Sequence, residues 1–82
     1  GVRVIAAGNT IGGMAPVDGN RIARNAGDGL VIDAPGGVSA SFNRVSDNGG
    51  AGIRLAGGGN GITFNVVNDN AGDGIAVPSI GN

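Results

Sequence analysis

The sequence predicts an all-β solenoid of about three coils, 22–28 residues each, with three short strands per coil that pair in parallel with the coils on either side. Three observations carry this reading. One residue pattern recurs at a step of 22 or 23 residues. Apolar residues within short runs alternate with a period of two. Glycines are spread through the chain, 19 in 82 residues, and each would cost a helix interior about 1 kcal/mol against alanine.

The repeat is Asn-x-(Ile/Val)-x-x-Asn-x-x-x-Gly-(Ile/Leu)-x-(Val/Ile/Leu). It reads Asn20, Ile22, Asn25, Gly29, Leu30, Ile32, then Asn43, Val45, Asn48, Gly52, Ile53, Leu55, then Asn65, Val67, Asn70, Gly74, Ile75, Val77. The chain is one segment, 1–82, divided into coils at about 1–28, 29–51 and 52–73 with a partial coil 74–82.

Each coil has three apolar runs separated by Gly, Asn, Asp or Pro. In the middle coil they are 43–47, 52–55 and 61–64. Ile53 and Leu55 alternate, as do Ile62 and Phe64, which is the side-chain period of a strand. Asn48-Gly49 and Asn60-Gly61 are hairpin-type dipeptides, but an antiparallel meander gives no reason to repeat six positions at a fixed step. Stacked coils do. They place Leu30, Ile53 and Ile75 in one interior column, Ile32, Leu55 and Val77 in a second, and Ile22, Val45 and Val67 in a third. Phe42 and Phe64 also superpose.

Asn20, Asn43 and Asn65 form one expected ladder, and Asn25, Asn48 and Asn70 another. Asparagine suits a corner because it tolerates the left-handed backbone region. Its amide can also donate to one neighbouring coil and accept from the other.

Composition narrows the chemistry. Lys, Glu, His and Cys are absent, which removes disulfides, thiol nucleophiles, zinc clusters and imidazole acid/base chemistry. A net charge of −1 with 2 % aromatics lacks both the basic footprint and the stacking platform of a nucleic-acid binder. Apolar runs reach about four residues, too short to insert as a membrane-spanning helix. No Met opens the chain, so Gly1 reads as a processing site or a fragment boundary.

The repeat resembles the right-handed parallel β-helix of pectate-lyase-like proteins. Asn9-Thr10-Ile11-Gly12-Gly13, followed by Asn20-x-Ile22-x-x-Asn25, is similar to a signature of long bacterial β-helix proteins. The resemblance implies an extracellular or cell-surface location and a structural or interaction role. It also implies an alternative, a non-catalytic fragment of a polysaccharide lyase- or hydrolase-like enzyme. A glycan partner has no residue pattern in its favour, and no cofactor is expected.

No catalytic residues are expected. Asp47 stacks on Asp69 with Arg24 alongside, the nearest thing to a metal pair, but a solvated corner column explains it as well. Arg3 and Arg54 share another column, interrupted by Val31, and a glycosidase would need two carboxyls across a cleft. The irregular stretch is 12–18, about six residues longer than its counterpart in the third coil; Met14 or Val17 is expected to fold over nearby apolar surface.

The first and last segments match in phase. Gly1-Val2-x-Val4 aligns with Gly74-Ile75-x-Val77, and Gly8-Asn9 with Gly81-Asn82, at an offset equal to the three coil lengths. A second copy could therefore complete the interrupted coil. The expected interface is Val2, Val4, Ile75 and Val77, joined head to tail in an open filament in preference to a two-fold dimer.

Overall fold

The computed structural model describes residues 1–77 of the chain. Ten strands follow one another: β1 (Val2–Val4), β2 (Thr10–Gly12), β3 (Arg21–Ala23), β4 (Leu30–Ile32), β5 (Ser39–Ser41), β6 (Arg44–Ser46), β7 (Ile53–Leu55), β8 (Gly61–Thr63), β9 (Val66–Asn68) and β10 (Ile75–Ala76). A 3-10 turn, Pro16–Asp18, separates β2 from β3, and there is no α-helix among the described residues. The strands form three parallel sheets. Sheet A runs β1-β4-β7-β10, sheet B β2-β5-β8 and sheet C β3-β6-β9. This is the parallel coil that the repeat predicts, three strands to a turn.

Register follows the repeat. Leu30 pairs with Ile53 and Ile53 with Ile75, while Ile22, Val45 and Val67 pair in sequence on sheet C. Alternate residues of each strand point inward, so these columns merge into one core. Leu30, Ile32, Val45 and Ile53 are completely buried. Each such side chain contributes about 1.5–3 kcal/mol by leaving water. The core has little width beyond these columns, and the molecule measures 28 × 27 × 16 Å, with three to four coils along its shortest dimension.

The glycines that precede β4 and β7 have a steric cause. A Cβ on Gly29 would lie 2.6 Å from Asn48 Nδ2 and 2.7 Å from the Gly52 carbonyl oxygen. A Cβ on Gly52 would lie 2.7 Å from both Asn70 Nδ2 and the Gly74 carbonyl oxygen. The Asn ladder and the next coil approach so closely that only a hydrogen fits.

Two expectations change. The left-handed residues at the corners are not the ladder asparagines but their predecessors: Arg24, Asp47 and Asp69 at one corner, Phe42 and Phe64 at another, with φ between 55° and 60°. The turn is made one residue early so that the Asn backbone N–H already faces the next coil. Met14 and Val17 do not cover the core, being 94 % and 90 % exposed. Their loop is held instead by its own turn, Asp18 N–H donating to the Ala15 carbonyl, and by Ser41 Oγ of the next coil donating to the Gly13 carbonyl. The side chains are thereby turned outward.

Candidate functional site

The strongest recurrent side-chain arrangement is the pair of asparagine ladders. Asn20 donates its backbone N–H and its Nδ2 to Asn43 Oδ1 at 3.0 and 3.2 Å, and Asn43 donates likewise to Asn65 Oδ1 at 2.9 and 3.1 Å. Asn25 does the same to Asn48 Oδ1 at 3.1 and 2.8 Å, and Asn48 to Asn70 Oδ1 at 3.1 and 2.8 Å. The remaining amide proton binds a strand carbonyl of the preceding coil: Asn43 to Ile11, Asn48 to Ile22, Asn65 to Ala40 and Asn70 to Val45. The Asn-to-Asn bonds are directional, each with its donor on the earlier coil and its acceptor on the later one.

A third corner carries part of the same device. Asn60 is buried, accepts the Val38 backbone N–H at 3.1 Å and donates to the Ala34 carbonyl at 3.0 Å. Pattern reading passed over it because Val38 interrupts its column between Asn9 and Asn60. Asn82, the matching position one coil later, lies outside the described residues.

The corner of Arg24, Asp47 and Asp69 forms a nearly flat depression of about 680 Å³ together with Ala26, Gly49 and Ala71. Backbone bonds of 3.1 Å run up this column, from Arg24 N–H to the Asp47 carbonyl and from Asp47 N–H to the Asp69 carbonyl. All three side chains are exposed. Among the described residues no three His, Cys, Asp or Glu side chains gather as a metal site would require.

A second depression, about 330 Å³, lies over the outer face of sheet A between Arg3, Val31, Arg54, Asp28 and Asp33. Arg3 pairs with Asp33 at 3.7 Å, the one ion pair among the described residues, with both side chains more than half exposed. Asp28 Oδ1 is engaged by the Ala51 backbone N–H at 2.7 Å, which ties the second coil to the first. The register places Arg3, Val31 and Arg54 in one row, away from Asp47.

At the corner between sheets B and C the rings of Phe42 and Phe64 stack with centroids 5.1 Å apart and planes 9° from parallel, and Phe64 is 76 % exposed. Of the four residues expected at a coil-end interface, Val2, Ile75 and Val77 are 39, 47 and 52 % exposed, whereas Val4 is buried against the first coil. Both end coils thus present apolar positions that the middle coils cover completely.

Comparison with curated proteins and with solved structures finds no significant match. A family model described as a right-handed beta helix region matches residues 5–81. With parallel strands in three sheets among the described residues, the chain belongs to the right-handed β-helix family.

Proposed function

We propose that the chain is a structural and interaction module of an extracellular or cell-surface bacterial protein, without catalytic activity of its own, and that it stacks end to end with further copies. The observation that carries the stacking is the contrast between coil interior and coil end. Leu30 and Ile53 are fully buried, whereas Ile75, in the same column, and Val77, in the neighbouring one, are about half exposed at the outer coil. Parallel edge strands with apolar inward positions favour another layer of the same kind. The lateral surfaces favour a module over an enzyme, since the two depressions are shallow and line up single charged residues rather than an acid and a base across a cleft. The cell-surface location is supported by the resemblance of the Asn9–Gly13 signature to long bacterial β-helix proteins.

Sedimentation velocity on the 82-residue chain at micromolar concentrations tests the stacking. Species larger than one chain are expected, and Val77→Asp should shorten them by placing a charge in the junction. A cooperative monomer at all concentrations overturns end-to-end stacking. Cleavage of an acidic glycan by the purified chain would overturn the non-catalytic reading.

A further inference from the structure

The corner between sheets B and C is built unlike the other two. In the second and third coils it is a tight turn at Phe42 and Phe64, whose rings stack. In the first coil it is the loop 13–20, whose Gly19 abuts the Phe42 carbonyl. This loop carries Met14 and Val17, the two most exposed large apolar side chains among the described residues. It projects sideways. The four strands of sheet A take up about 14 Å along the stack, three strand spacings, and the molecule is 16 Å deep in that direction. The loop is also fixed in shape. Asp18 N–H donates to the Ala15 carbonyl, Ser41 Oγ donates to the Gly13 carbonyl, and the Asp18 side chain lies back against Gly13, where an added Cβ would strike it. An apolar tip is thus held out in water, and the packing of the coil does not require it.

Charge is sorted around the same corner. Arg21 and Arg44 begin β3 and β6, pair in register on the outer face of sheet C, and have no side-chain partner among the described residues. Their strands are about 4.8 Å apart, so the like charges repel across the sheet. Asp18 is the one carboxylate at this corner. Asp28 and Asp33 lie over sheet A, Asp47 and Asp69 at the corner between sheets C and A, and Asp73 in the turn before β10.

We infer that this corner docks the chain on an anionic lipid surface, with Met14 and Val17 entering the headgroup region and Arg21 and Arg44 facing the lipid phosphates. Three features select a lipid surface. The tip is convex, so its partner must be concave or yielding. The side chains of Met14, Ala15 and Val17 carry no hydrogen-bond donor, so the tip has nothing with which to read a particular polar partner. Two uncompensated arginines on a rigid sheet suit diffuse negative charge, which turns their mutual repulsion into attraction. The contact is peripheral and reversible, a short apolar tip flanked by cations. It does not rest on stacking, since the corner lies on the flank of the coil.

The chain has no Trp or Tyr, so a single introduced indole reports its own surroundings. Met14→Trp emission should shift to the blue on adding vesicles of equal parts phosphatidylcholine and phosphatidylglycerol, and stay near its solution position with phosphatidylcholine alone. Pro35→Trp, at the exposed turn between sheets A and B, should respond to neither. Co-sedimentation of the wild-type chain with the mixed vesicles should weaken at least tenfold in Met14→Asp/Val17→Asp. It should weaken severalfold in Arg21→Gln/Arg44→Gln, and likewise on raising salt from about 0.1 M to about 1 M, which shortens the screening length from about 10 Å to about 3 Å. Both tip positions are almost fully exposed, and circular dichroism checks that each variant keeps its strands. A wild-type chain that stays in solution beside the mixed vesicles overturns the inference. So does vesicle binding that the tip variant leaves unchanged, or a Pro35→Trp shift equal to that of Met14→Trp, which moves the contact to another face. A Met14→Trp shift that grows with protein concentration in the absence of lipid makes a second copy the occupant and overturns lipid docking. Stacking is read separately, by sedimentation without lipid.

Discussion

Asn48 shows what a single side chain does in this fold. Its Oδ1 accepts two bonds from Asn25, and its Nδ2 donates to Asn70 Oδ1 and to the Ile22 carbonyl. The amide is buried and fully used. Asn48→Ala leaves the Asn25 N–H and the Ile22 carbonyl without this partner in a dry interior, at a cost of about 1–3 kcal/mol in urea unfolding. Asn70→Ala, at the outer coil where water reaches, should cost less than half of that. The residue before each ladder Asn carries a different constraint. Asp69, at φ 55°, lies in the left-handed region, so Asp69→Val should destabilise by about 1–2 kcal/mol in the same assay although its side chain is exposed. The ladder columns were legible in sequence because asparagine recurs at the coil step. The assignment of the left-handed turn to those asparagines was not, because amide chemistry and backbone tolerance make Asn a candidate for both roles. Only the geometry shows that Asn must keep its N–H aimed at the next coil.

At the scale of the strand, inward alternation and register were readable because each coil repeats the same apolar positions, and the steric demand of the ladder explains why glycine precedes β4 and β7. Ile53, fully buried between Leu30 and Ile75, should lose about 2–5 kcal/mol on Ile53→Ala through the cavity left behind. Ile75→Ala, in the same column but half exposed, should lose about a quarter to a half as much, since water already reaches the site. Thermal or urea melts of the two variants measure the difference. The segment between β2 and β3 was legible only as an insertion. Its fold depends on a 3-10 turn and on a side-chain bond from Ser41 of the next coil, and neither leaves a periodic mark. Asn60 escaped because Val38 interrupts its column, so no unbroken run of asparagine marks that corner.

At the scale of the molecule, strands of three residues cannot hold themselves, and each is stabilised by its neighbours in the stack. Such an array has end terms: the outermost coils have a neighbour on one side, and their apolar columns are half covered. The in-phase match of the first and last segments was visible in the sequence, but the direction of the Asn-to-Asn bonds required the structure. If copies stack as proposed, assembly is a source of stability as well as of length. A partner that binds the folded coil end and not the unfolded chain stabilises the fold by mass action, by up to about 1.4 kcal/mol for each tenfold rise in concentration above the junction dissociation constant. A domain of this size shifts its melting midpoint by roughly 4–8 °C per kcal/mol. The midpoint of the wild-type chain should therefore climb by about 5–10 °C per decade of protein concentration once junctions form. Below that range it should be flat. Val77→Asp should flatten the dependence across the whole range while leaving the low-concentration midpoint within a few degrees of wild type, because Val77 is already half exposed in the single chain. Melting curves at three concentrations, read by circular dichroism, decide it: a midpoint independent of concentration in the wild-type chain would mean that the coil ends contribute nothing to one another.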